Sequence, residues 1–229
     1  MVIPGLTLAL DASASVGTLA VLRDGALVVE RTVEMRGDGE EQYFPAILGA
    51  LAEAGGGRRD LDRIVCGAGP GSFTSLRVVG AIAKGLALGL DRPLLGVPSL
   101  ALIVGASDET SVADTRWVAT LDAMRGDRYA ALVTVGAAGA VRSVESLGLF
   151  AAPDLAARAL ALDARLVGPD EAVRAEPHAR GLARCLELLA GATPVDLASW
   201  EPLYGRLAEA QVKWEAAHGR PLDARRSPA

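Results

Sequence analysis

The chain has 229 residues, 51% of them hydrophobic and only 4% aromatic, with a formal net charge of −5. That length suits one large domain or two small ones, and the composition is that of an ordered α/β protein rather than a disordered chain. A net negative charge excludes a general attraction to nucleic-acid phosphates, and two lone cysteines, Cys66 and Cys185, exclude a disulfide framework or a paired-cysteine zinc site.

The first residues show no basic start followed by an apolar run and a cleavage site, and no apolar stretch reads as long enough to span a bilayer. The expectation is a cytoplasmic protein with no membrane partner. Leu6 to Leu10 reads as a strand, Asp11-Ala12-Ser13-Ala14-Ser15 as a turn, and Gly17 to Leu22 as a second strand. A hairpin at Arg23-Asp24-Gly25 leads into a third strand, Ala26 to Val33. Asp38 and Glu41 have the spacing of a capping box, predicting a helix to about Ala54 that stops at Gly55-Gly56-Gly57. Pro45 is expected to disturb its early turns. This helix carries two apolar stripes, one of Tyr43, Ile47, Ala50 and Ala54, the other of Phe44, Leu48 and Leu51.

Leu61 to Cys66 is a short strand, and Gly67-Ala68-Gly69-Pro70-Gly71 then forbids both helix and strand. Ser72 or Thr74 is placed to cap the helix that follows through Leu90. Strand, glycine turn and helix form a shape whose amides could hold an anion, or simply a tight turn that needs glycine for its geometry. The helix has only two charges, Arg77 and Lys84. Leu76, Val79, Ala83, Leu86 and Leu90 form one apolar face; Val78, Ile82, Gly85 and Gly89 form another. Apolar character on two sides fits either a helix central to the core or one that also meets a partner. Leu94 to Val97 reads as a strand and Ser99 to Val104 as a short helix.

The second half repeats the plan. Leu10-Asp11-Ala12 recurs as Leu121-Asp122-Ala123, a shift of 111 residues (122 − 11), and the same shift places Gly25 on Gly136 and Arg31 on Arg142. Duplication implies two similar lobes, residues 1–105 and a degenerate copy over 106–229 that ends in a polar helical tail. A helix over 153–161, a strand over 165–167 and a helix over 181–190 complete the second copy. Two halves, each opening with a three-stranded meander, resemble the actin-like ATPase fold (ASKHA, ribonuclease H-like).

Asp11 and Asp122 sit where that fold places its two phosphate-site aspartates. Alanine follows each in place of the glycine that would let amides close on phosphate, and no glycine pair follows in the second half. A complete kinase site is therefore not expected. His178 and His218 each lack a ligand partner at i+4 and read as solvated surface residues. No metal and no cofactor are expected.

Gly69-Pro70-Gly71-Ser72-Phe73-Thr74-Ser75-Leu76-Arg77 with Ala83-Lys84-Gly85-Leu86-Ala87 resembles the signature of the TsaB (YeaZ) family. Leu121 to Tyr129 is similar to its second-lobe motif and Pro202-Leu203-Tyr204-Gly205-Arg206 to its C-terminal one. The resemblance implies a non-catalytic paralogue of TsaD in the pathway making N6-threonylcarbamoyladenosine beside the tRNA anticodon. Its implied partners are a TsaD-type catalytic subunit and a TsaE-type ATPase, with tRNA met only through the complex and a homodimer as a further form. Three departures stand out. Ser75 replaces a usual glycine, Asp38-Gly39-Glu40 or Gly39-Glu40-Glu41 replaces a His-Ser-Glu, and Ser99 and Ile103 stand where catalytic relatives carry a metal-binding histidine pair. The alternatives are a degenerate actin-fold enzyme (a phosphotransferase, or a protease of the glycoprotease-like kind) and a homodimeric scaffold. The resemblance further implies a partner interface on the two apolar helices. We assign to it Tyr43, Ile47, Ala50, Val78, Ile82, Gly85 and Gly89, with Leu76, Val79, Ala83 and Leu86 turned inward.

Overall fold

The computed structural model describes residues 3–35, 42–205 and 217–219. Three antiparallel strands come first: β1 (Leu6–Asp11), β2 (Val16–Arg23) and β3 (Ala26–Glu34). Helix α1 (Tyr43–Glu53), strand β4 (Leu61–Gly67), helix α2 (Phe73–Leu90) and strand β5 (Leu94–Val97) complete a five-stranded sheet in the order β3-β2-β1-β4-β5. β1 pairs with β2 antiparallel and with β4 parallel, so both its neighbours are satisfied and all six of its residues are buried. A strand covered on both faces has no solvent side to show: Leu6, Leu8 and Leu10 join one core cluster and Ala9, on the opposite face, joins another.

Helix α3 (Ser99–Ala106) then leads to the second sheet. Its strands are β6 (Thr115–Asp122), β7 (Asp127–Val135), β8 (Val141–Ala151), β9 (Arg165–Gly168) and β10 (Val173–Arg174), with helix α4 (Leu155–Ala161) between β8 and β9. Their order, read from β8, is β8-β7-β6-β9-β10, matching the first sheet position for position. The pairings match as well, antiparallel between the first three strands and parallel beyond them. β1 and β6, each ending in the repeated aspartate, are therefore equivalent strands. The copy is degenerate where β10 shrinks to two residues. The predicted helix over 181–190 is instead a 3-10 turn, Ala179–Arg184, followed by the short helix α5 (Leu186–Ala190).

The layers follow from which faces are apolar. α1 and α2 cover one face of the first sheet, enclosing Leu8, Leu10, Leu19, Tyr43, Ile47 and Val79. α3 and the 179–184 turn fill the space between the sheets, and all eight residues of α3 are buried. α4 covers the far face of the second sheet through Leu155 and Ala159. Pro45 does not disturb α1, because it is the third residue of the helix, where its missing N–H has no intrahelical partner to lose. The capping box at Asp38 and Glu41, and most of the polar tail, lie outside the described residues.

By length and composition α2 qualifies as a membrane span, against the sequence expectation. Seven of its residues, among them Leu76, Val79, Ala83 and Leu86, are buried within the protein, so its inner face serves as cover for the sheet.

Candidate functional site

The glycine turn between β4 and α2 is packed with the chain's own backbone. Ala68 N–H donates to the Val97 carbonyl at 2.7 Å, Gly69 N–H to the Ser99 hydroxyl at 3.1 Å, and Ser72 N–H to the Ser13 carbonyl at 2.7 Å. Ser99 N–H returns a bond of 2.9 Å to the Gly69 carbonyl. A Cβ at Gly71 would collide with the Ser13 carbonyl, and one at Gly69, where φ is +81°, with the Leu203 carbonyl. The glycines are thus required by close approach of other segments, and the Ala68, Gly69 and Ser72 amides of the turn already have partners within the chain. Ser72 occupies the N-cap position of α2, but its hydroxyl pairs with that of Ser75 at 3.0 Å rather than capping. Thr74 lies inside the helix. Ser75, where a glycine was expected, is buried and takes part in that pair.

Asp11, at the end of β1, is 1% exposed. Its Oδ1 accepts from Ser13 N–H (3.0 Å) and the Ser13 hydroxyl (2.8 Å), and its Oδ2 accepts from the Ser99 hydroxyl (2.6 Å). Gly67 leaves the room, since a Cβ there would strike the carboxylate. Burial pushes the Asp11 pKa up, and the bonds from Ser99 and Ser13 only partly offset it. Burial likewise pushes up the neighbouring Cys66 thiol, which is no nucleophile. Both oxygens being engaged, Asp11 ties the first turn, the glycine turn and the start of α3 together. Its repeat, Asp122, is different: half exposed, it pairs with Arg128 at 2.8 Å, and Arg128 also reaches Asp170 at 3.0 Å. The turn after it holds Met124, Arg125 and Gly126 at positive φ.

The third motif closes the arrangement. Leu203 N–H donates to the Ala68 carbonyl at 2.7 Å, Pro202 lies over Gly80, and Lys84 Nζ donates to the Trp200 carbonyl at 2.8 Å. The Tyr204 ring packs tilted by 54° against Phe73 at 4.7 Å between centroids, with the Arg77 guanidinium 5.1 Å from the Phe73 centroid. From the second sheet, the Tyr129 hydroxyl donates to the Tyr204 carbonyl at 3.4 Å. The three sequence motifs, far apart in the chain, therefore meet at one junction between the lobes. Sequence reasoning missed Ser13 and Tyr129 here, although both lie within or beside a quoted motif. Arg206 lies outside the described residues.

The outer face of the helical layer needs a correction. Tyr43, Ile47 and Ala50, expected at a partner surface, are buried in the chain's own core at 2%, 0% and 0% exposure. The outward stripe of α1 is the other one: Phe44 and Leu48 are each 38% exposed. On α2, Val78 is 39% exposed, Gly85 and Gly89 are exposed, and Ile82 is half-buried against the core. Leu76, Val79, Ala83 and Leu86 are buried. The result is an outward set of apolar and small residues on α1 and α2, in which Phe44 shares a groove with Ile82, Gly85 and Gly89.

His178 is not a solvated surface residue. Half-buried, it caps the 179–184 turn by accepting the Arg180 N–H at Nδ1 (3.1 Å), and burial lowers its pKa. Ser99 and Ile103 are both fully buried in α3. No group of three or more His, Cys, Asp or Glu side chains among the described residues is arranged to hold a metal.

A family model described as TsaD, tRNA N6-adenosine threonylcarbamoyltransferase, matches residues 39–145. The chain is 32% identical over 122 residues to the tRNA threonylcarbamoyladenosine biosynthesis protein TsaB of Escherichia coli, covering 53% of this chain and 52% of that one. It is 39% identical over 163 residues to an uncharacterized protein of Mycobacterium tuberculosis, covering 64% and 76% respectively. Among solved structures, YeaZ from Pseudomonas aeruginosa superposes with a TM-score of 0.66 at 25% identity, over 87% of this chain and 99% of that one. The chain spans about half the length of the curated TsaB relatives it matches.

Proposed function

Because the chain belongs to the TsaB (YeaZ) family, we propose that it is a non-catalytic subunit of the tRNA N6-threonylcarbamoyladenosine machinery, pairing with a TsaD-type catalytic protein. The observation that carries this reading is the outward layer of Phe44, Leu48, Val78, Ile82, Gly85 and Gly89. An apolar helical surface of this kind is what a partner helix pair covers. The interface is thus proposed on Val78, Ile82, Gly85 and Gly89 as assigned from sequence, with Phe44 and Leu48 in place of Tyr43, Ile47 and Ala50.

The interior of the motif junction supports the non-catalytic half of the proposal. Gly69 and Ser72 amides are bonded within the chain, and both Asp11 oxygens are occupied by serine donors. A phosphate held by those two amides would have to displace their present acceptors, and a metal on Asp11 would compete with its serine donors. The protein acts on tRNA only through the complex, with a TsaE-type ATPase as third member, and in the cytoplasm. Reconstitution tests it. The three purified proteins, given threonylcarbamoyl adenylate and tRNA, should modify the tRNA, and omission of this chain should stop the reaction. Modification by this chain alone, or an unchanged rate without it, would refute the proposal.

A further inference from the structure

The outward layer contains one feature that apolar packing does not account for. A groove between α1 and the C-terminal half of α2 is lined by Phe44, Ile82, Gly85, Gly89, Leu90 and, as its one charged residue, Arg58. Its floor is helix backbone, because the Cβ positions of Gly85 and Gly89 meet nothing within 4 Å. Arg58 is exposed, and among the described residues no ion pair takes up its guanidinium. The two helices offer it no carboxylate either. α2 contains no acidic residue, and the single one on α1, Glu53, is paired with Arg31.

We propose that this groove selects a partner helix presenting a large apolar side chain flanked by a carboxylate, with Arg58 as the specificity-determining residue. The inference rests on the pairing proposed above and names the chemistry of its partner. The apolar side chain would lie on the backbone at Gly85 and Gly89, and the carboxylate would meet Arg58 at the groove edge. A second copy of this chain is the poorer occupant: within α1 and α2 it carries only Glu53, which is paired, and its exposed Asp91 lies past the end of α2. Arg58 therefore favours the heterologous pair over self-association. An exposed ion pair adds little, but one whose water is partly displaced by an apolar contact adds more, and reversing its charge turns attraction into repulsion.

The test is titration calorimetry with the TsaD-type protein of the same organism at about 50 and 500 mM salt, alongside sedimentation of this chain alone. Arg58→Glu should weaken heterodimer affinity about tenfold at low salt, with the loss shrinking at high salt, while self-association does not weaken. Arg58→Ala should lose less than the reversal. Leu48→Glu is the control for the face itself. If Leu48→Glu abolishes binding and Arg58→Glu leaves it unchanged, the role of Arg58 is overturned while the pairing stands. If neither variant affects binding, the pairing on this face is overturned as well. Self-association weakened by Arg58→Glu as much as the heterodimer would overturn the choice of occupant.

Discussion

The Tyr43 hydroxyl lies 2.5 Å from the Thr18 carbonyl and 3.1 Å from the Asp11 carbonyl, so the first residue of α1 is fastened to the turn that carries the first repeated aspartate. The bond explains why α1 presents Phe44 rather than Tyr43 outward. A tyrosine buried to 2% exposure needs an acceptor, and the strand ends supply two.

Tyr43→Phe keeps the ring and removes the donor. It should cost about 1–2 kcal/mol of stability, or roughly 2–8 °C in melting temperature for a chain of this size, with affinity for the TsaD-type partner unchanged in the folded protein. A thermal melt identical to wild type, with partner binding lost, would return Tyr43 to the surface.

Asp11 provides a pH test. Its folded pKa is raised, so folding favours the protonated form. That contribution is complete below the usual carboxylate range and is lost as pH rises through the raised value. Asp11→Asn retains an acceptor for Ser13 and can donate to Ser99, without a charge to bury. The stability of the wild type should therefore fall more steeply than that of Asp11→Asn as pH rises from about 4 toward 8. Parallel pH profiles in denaturant unfolding would contradict the burial argument.

How much of this was legible in the sequence depended on what each pattern could decide. The meanders and their repeat were readable because the strand–aspartate–strand order survives in both halves, and the sheet order confirms it. On α2 the outward stripe of Val78, Ile82, Gly85 and Gly89 rests on the family resemblance rather than on periodicity. On α1 both stripes are apolar, so periodicity gave two faces without their order. The glycine turn was readable as a turn. Its purpose was not, because the atoms that fill it belong to Ser13, Ser99 and Leu203, which lie far away in the chain.

Gly69 tests that purpose. Gly69→Ala combines a φ of +81° with a collision against the Leu203 carbonyl. It should cost roughly 1–3 kcal/mol, and it should loosen the 200–205 strap, detectable as faster amide exchange at Leu203. Unaltered exchange at Leu203 would show that the strap does not depend on the turn.

The same packing predicts the response to nucleotide. Titration with ATP should leave the Gly69 and Ser72 amide resonances unmoved, because both N–H groups already donate within the chain. Saturable shifts at both would mean the turn opens to hold phosphate.

The most direct test of the account is the affinity of Val78→Glu for the TsaD-type protein. Val78 is exposed on α2, so a glutamate there leaves the core of the free protein intact. Buried without a partner in an interface, the charge costs several kcal/mol, on the order of a thousandfold in affinity. The account predicts a folded protein with unchanged circular dichroism whose binding isotherm is lost. Wild-type affinity in a folded Val78→Glu chain would contradict it.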